Sequence, residues 1–158
     1  MKILGIDPGY DLLGFGLIEV LPGNRFVYLD GGVIETDKKL GYWERIQQLA
    51  KDLDELISGI DFDVCAMEEL FFTKNVKTAI KVAQARGVIG LALAKKGVPI
   101  FEYTPSQIKS GVVGNGRADK AAMQEMVKIL LGFEVIPKPD DFADALAVAL
   151  CHGGRGYG

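Results

Sequence analysis

The spacing of apolar residues changes near residue 40, and that change limits the folds open to the chain. Before it, apolar residues come in short runs bounded by turn formers. Lys2–Ile6 stops at Asp7-Pro8-Gly9, Leu13–Val20 ends at Pro22-Gly23-Asn24, and Phe26–Thr36 is rich in β-branched and aromatic residues. These runs predict an antiparallel meander with a bulge at Gly31-Gly32. Beyond it, Trp43, Ile46, Leu49, Leu53 and Ile57 recur at helical spacing, with Glu44, Arg45, Lys51 and Asp52 off that stripe. Asp63–Met67 reads as a buried strand that delivers Glu68 and Glu69 at its end. A long helix follows from Asn75 to Lys96, with Val76, Ile80, Ala83, Gly87 and Leu91 on one side, and Pro99–Tyr103 is a further short strand. Thr104-Pro105-Ser106-Gln107 combines an N-cap, a proline at the first helical position and a glutamine placed for a capping box. Helical spacing resumes over Ala118–Leu131 and again over Asp140–Cys151.

Strands first, then strands alternating with helices, predict an α/β domain around a mixed sheet with helices on both faces. One domain over residues 1–152 is expected, with a Gly-rich flexible tail at 153–158. At 158 residues and 49% hydrophobic, such a domain holds one core without disulfides or a structural metal. Cys65 and Cys151 lack C-x-x-C spacing and are expected as reduced core thiols. No apolar run reaches the ~18 residues of a membrane span, and Asp7-Pro8-Gly9 interrupts the place where a signal peptide would stay apolar. A cytoplasmic protein is expected.

The net charge of −3 conceals an asymmetry: residues 74–120 carry nine basic and two acidic side chains, whereas residues 1–73 carry six and fourteen. A basic zone beside acidic flanks suits a polyanion held by cations and a metal held by carboxylates. A solvated lysine-rich helix face accounts for the same charges. The acids are more telling. Asp7 ends the first strand, Glu68 follows the central one, and Asp141 and Asp144 stand three apart on the last helix, so three elements can converge. Carboxylates without His or Cys partners suit Mg²⁺ or Mn²⁺ and not Zn²⁺, and two such ions serve phosphodiester hydrolysis. Taken singly, each acid also fits an ordinary role: Asp7 in a turn, Glu68-Glu69 solvated, Asp140-Asp141 capping a helix. Asp144 fits least well, because Phe142, Ala143 and Ala145–Ala149 surround it and an unpaired buried charge is costly. Asp140 is the better N-cap, and a strand admits only one of Glu68 and Glu69 to a site. His152, past the last helix, is expected to be structural or at the surface.

The chain resembles the RuvC-type Holliday junction resolvases, endonucleases with a ribonuclease H-like fold. The resemblance rests on LGIDPG (4–9) with Gly14-Phe15-Gly16, AMEELFFTKN (66–75), QARGV (84–88), FEYTPSQIK (101–109), VVGNGRADK (112–120) and DDFADALAVALCH (140–152), in that order. It implies a mixed five-stranded sheet, and catalytic, Mg²⁺-ligating carboxylates at Asp7, Glu68, Asp141 and Asp144, with two ions per site. It also implies activity-supporting lysines at Lys109 and Lys120 and a base-contacting aromatic at Phe71. Lys74, Lys77, Lys81 and Arg117 are the further candidate contacts to DNA. The family acts as a homodimer that nicks a four-way junction symmetrically in recombination and repair, leaves 5′-phosphate ends, and works beside a branch-migration motor. Two other readings stay open. The opening strand and Asp7-Pro8-Gly9 also resemble the phosphate-binding start of sugar-kinase and chaperone ATPases, and a junction-binding protein without catalysis would keep the basic zone.

Overall fold

Three strands joined by short turns lead the chain, and every later strand is entered through a helix. The order is β1 (Lys2–Asp7), β2 (Leu12–Leu21), β3 (Arg25–Glu35), α1 (Tyr42–Gly59), β4 (Val64–Glu68), α2 (Val76–Lys96), β5 (Ile100–Tyr103), α3 (Pro105–Val113), α4 (Lys120–Leu131) and α5 (Asp140–Gly153). This computed structural model describes residues 1–70 and 75–156. The sheet order is β3-β2-β1-β4-β5. β1, β2 and β3 pair antiparallel, as the meander predicts, while β4 and β5 add parallel to β1. The result is the expected mixed sheet.

Alternation along the strands divides the core between two faces. Leu4 and Ile6 of β1 point with Leu13 and Leu17 into a cluster closed by Leu49 and Leu53 of α1 and by Ala85, Ile89 and Leu93 of α2. Ile3 and Ile18 point the other way, toward Ile108 and Val112 of α3, Val127 of α4 and Leu146–Cys151 of α5. Helices therefore cover both faces. The start of α3 is as expected: Thr104 Oγ1 accepts from Gln107 N–H at 3.1 Å, and Gln107 Oε1 accepts from Thr104 N–H at 2.9 Å.

Several details differ from the sequence reading. Trp43 is 67% exposed and packs edge-on against Tyr42. Arg45 points inward in its place, because its guanidinium finds Thr36 Oγ1 at 2.7 Å and Asp11 Oδ1 at 2.6 Å. The inward face of α2 is Ala79, Ala85, Ile89, Ala92 and Leu93, so Val76, Ile80 and Leu91 are 62%, 50% and 58% exposed. That helix is apolar around most of its girth, so periodicity alone does not select a face. The β-bulge lies at Leu29, where Leu17 pairs with Asp30 and Ile18 with Tyr28, because Gly31 serves instead to leave room for the Phe142 ring. Pro139, not Asp140, is the N-cap of α5. The helix runs on to Gly153, which is buried against Ile3, Val20 and Phe26, and Arg155 lies over the Tyr103 ring at 4.6 Å.

Candidate active site

Each candidate carboxylate is delivered by the end of a regular element. Asp7 is the last residue of β1 and Glu68 the last of β4. The two strands are parallel neighbours with Ile6 opposite Met67, so both acids leave the same end of the sheet side by side. On the other flank of β1, Asp7 pairs with Gly14 of β2. A Cβ at Gly14 would run into the Asp141 carbonyl, and one at Gly5 into the Ala145 carbonyl. The two missing side chains let the first turns of α5 lie directly on β1 and β2. That brings Asp141 and Asp144 to Asp7.

Electrostatics reports the convergence. Burial, then the charges of Asp144 and Asp141, a hydrogen bond with Asp141 and the charge of Glu68 push the Asp7 carboxyl up to about 8. Burial and then Asp144 raise Glu68, against Lys109 and Arg86. Burial raises Asp144 as well, with Lys120 opposing and Asp140 and Asp141 adding. Carboxyls raised first by burial and then by neighbouring acids define a centre short of positive charge.

A hard divalent cation fits that deficit, because the donors are carboxylate oxygens only. The other metal-binding side chains stay away: Cys65 and Cys151 are buried. His152 lies within α5 rather than past it and is 1% exposed, its Nδ1 2.6 Å from the Tyr103 hydroxyl. Among the described residues no group of His, Cys, Asp and Glu is already gathered as a metal cage.

Cations and acids that are not part of the cluster form its rim. Lys109, Lys120, Glu68 and Asp144 line one cavity of about 230 Å³. Lys120 Nζ is 2.6 Å from Asp140 Oδ2, Asp140 Oδ1 accepts from Gln124 Nε2 at 3.0 Å, and Lys138 Nζ approaches Asp140 Oδ1 at 3.6 Å. The hydrogen bond from Lys120 holds the Asp140 carboxyl below its usual range. Asp140 therefore steers Lys120 and leaves Asp141 to the centre. Glu69 is exposed, and its main-chain N–H donates to the Tyr103 carbonyl at 2.9 Å. Lys77 and Lys81 are exposed on the first turns of α2 and line a shallow cavity with Tyr42. Arg117 is exposed between α3 and α4 and does not line the cavities that hold Asp7, Glu68, Asp141 and Asp144. Phe71 and Lys74 lie outside the described residues.

Sequence reasoning passed over Arg86. Its guanidinium donates to the Glu68 carbonyl at 2.5 Å, pairs with Glu102, and lines the cavity that holds Asp7 and Glu68. The signal was present in the middle of α2, where Arg86 is the one charged residue between Val82 and Ala94.

This sheet order, with helices on both faces and acids at the ends of β1 and β4 and the start of α5, defines a nuclease of the ribonuclease H-like class. The sequence profile of the crossover junction endodeoxyribonuclease RuvC family matches residues 3–152. The RuvC of Alkaliphilus oremlandii is 53% identical over 156 residues, 99% of this chain and 94% of that protein. That of Thermosipho melanesiensis is 50% identical over 151 residues, 96% of each chain. The chain belongs to the RuvC family of crossover junction endodeoxyribonucleases. Among solved structures, Thermus thermophilus RuvC in complex with a Holliday junction substrate superimposes with a TM-score of 0.90 at 35% identity, covering 96% of this chain and 92% of that one. The yeast mitochondrial Holliday junction resolvase Ydc2, at 17% identity and a TM-score of 0.69 over 96% of this chain and 78% of that one, shares the fold.

Proposed function

We propose that this chain resolves four-way DNA junctions by hydrolysing one phosphodiester in each of two opposed strands, with Asp7, Glu68, Asp141 and Asp144 as the metal-holding centre. The observation that carries this reading is geometric: Asp7 and Glu68 leave one end of the sheet side by side, and the close approach of α5 at Gly5 and Gly14 sets Asp141 and Asp144 beside them, a donor set of carboxylates that suits a divalent cation. Mg²⁺ is the cation proposed, two per site, with Mn²⁺ as a substitute. A bound ion of this kind supplies an acidified water and neutralises charge on the phosphate.

The chain's own residues hold and orient. Asp7 and Glu68 project from strand ends fixed by the sheet, and Arg86 holds the main chain at Glu68. Lys120, steered by Asp140, and Lys109 line the cavity beside Glu68 and Asp144, where a cation offsets charge developing on the phosphoryl oxygens. The P–O3′ bond breaks, so the product ends carry 5′-phosphates.

Two symmetric cuts need two centres, so the working unit is a homodimer. The exposed apolar stripe Val76, Ile80 and Leu91 on α2 is the surface that a second copy covers. Lys77, Lys81 and Arg117, together with Phe71 and Lys74, are the further proposed DNA contacts. A branch-migration motor that presents the junction completes the assembly, in cytoplasmic recombination and repair. No described helix is long and apolar enough to cross a membrane. Residues 1–152 form the single nuclease domain of this reading.

The reading is tested with Asp7→Asn and Asp144→Asn on synthetic four-way junctions. Both variants are expected to lose cleavage and keep binding, because the phosphate contacts belong to lysines. Unchanged cleavage overturns the carboxylate assignment, and binding without cleavage by the unaltered protein in Mg²⁺ and in Mn²⁺ leaves a junction-binding protein.

A further inference from the structure

Three cavities adjoin in a row across the carboxylates. Glu68 is shared by the cavity of Lys109 and Lys120 and by the central one at Asp7, which in turn shares Thr78 and Val82 with a third. This third cavity, about 570 Å³, falls within the about 300–1,000 Å³ usual for ligand sites. Its walls are the turn after Asp7 (Gly9 to Leu12), Lys38 before α1, Lys81 on α2, and Asp141. The acid in that turn is already answered: Asp11 accepts from Arg45 at 2.6 Å. Lys38 and Lys81 are exposed and take part in no ion pair among the described residues. Asp141 links this cavity to Asp7, with which it shares a hydrogen bond.

Aromatic rings continue the wall outward. Tyr10 is bracketed by the Arg45 guanidinium at 4.3 Å and Lys81 Nζ at 5.2 Å, and stacks on Tyr42 with centroids 5.3 Å apart. Tyr42 meets the indole of Trp43 at 4.9 Å, and that indole is 67% exposed. Cations beside a fixed ring stack that ends in an exposed indole are the two parts of a nucleic-acid strand site, one for phosphates and one for bases. A strand crossing the carboxylates with Lys109 and Lys120 on one side meets this cavity on the other.

We propose that the cavity between the Gly9–Leu12 turn, Lys38 and Lys81 seats backbone phosphates of the cleaved DNA strand, on the side of the cut away from Lys109 and Lys120, with Trp43 as a stacking surface for a base of that strand. The inference rests on the junction-nuclease reading above. It deepens that reading by giving the strand a path across the site and by assigning contacts to Lys38, which sequence reasoning left without a role, and to Trp43, which it placed on the apolar stripe of α1.

The test uses Asp7→Asn protein, expected to bind without cutting, and measures junction affinity over a series of salt concentrations. Lys38→Ala/Lys81→Ala, both exposed positions, should make the dependence of log K on log salt shallower by about 0.7–0.9 per lysine. Lys51→Ala/Lys95→Ala, exposed but outside the cavity, should not. Junctions carrying one neutral methylphosphonate at a time then locate the contact. Neutralising a phosphate on one side of the cut should weaken binding of the parent and leave the Lys38→Ala/Lys81→Ala variant indifferent. Trp43→Ala should weaken binding with the salt dependence unchanged. A slope equal to that of the control pair, with the same methylphosphonate profile as the parent, overturns the cavity proposal while junction cleavage by the unaltered protein stands. If the unaltered protein neither binds nor cuts the junction, the nuclease reading fails and takes this proposal with it.

Discussion

At the scale of single residues, the account turns on carboxyls that destabilise one another. Asp7 sits at about 8 through burial and its acidic neighbours, above its unfolded value of about 3.9. A raised carboxyl means that the folded, metal-free protein holds a proton the unfolded chain has released, so stability falls as pH rises between those two values. Thermal melts in EDTA should therefore show a lower Tm at pH 8 than at pH 5.5. Asp7→Asn should raise the Tm at pH 8 by about 2–4 °C per kcal/mol relieved, and Mg²⁺ should raise it for the unaltered protein only. A variant no more stable than its parent at pH 8 contradicts the coupling. Arg86 makes a second residue-scale case. Arg86→Ala leaves the Glu68 carbonyl without its donor and Glu102 without its partner, and should destabilise the fold by about 1–3 kcal/mol and slow cleavage. Denaturant melts and junction cleavage rates check both, and Arg86→Lys should recover only part because it cannot reach two acceptors as a fork.

At the scale of elements, the centre depends on how closely α5 lies on the sheet. Gly14→Ala puts a methyl into the Asp141 carbonyl and should force α5 off β2, costing about 1–3 kcal/mol and most of the cleavage activity while junction binding persists. A Gly14→Ala protein of full activity contradicts the packing argument. This contact also marks how far the sequence could be read. The strand ends that carry Asp7 and Glu68, the three-residue spacing of Asp141 and Asp144, and the Thr104 capping box were legible because each is local. What Gly5 and Gly14 are for was not, since glycines in a strand signal a bulge or a close approach without saying by what. The face of α2 was misread for a related reason: its small residues are apolar all round, and only packing against α1 and the sheet puts Ala85 and Ile89 inside and Ile80 outside. The buried partners of Arg45 and Arg86 were not legible, because a cation on a helix reads as solvated until its partners are known.

At the scale of the whole molecule, the apolar stripe left outside on α2 is the counterpart of the centre: one copy holds one set of carboxylates, and a four-way junction offers two strands to cut. Ile80→Asp/Leu91→Asp should give a folded monomer by sedimentation, since both positions are exposed at 50% and 58%, and that monomer should lose the paired cuts. A dimer that survives both changes removes α2 as the interface. The order of the motifs made the architecture recognisable before any contact was known, whereas the row of cavities that crosses the sheet end emerges only from the fold. The most direct measurement is to map nicks on end-labelled four-way junctions and matched linear duplexes, with Mg²⁺ or EDTA, for the unaltered protein and for Asp141→Asn. The account predicts paired, symmetric nicks confined to the junction, present only with Mg²⁺ and absent in the variant; nicks that persist in EDTA or in Asp141→Asn, or that fall equally on linear duplex, would contradict it.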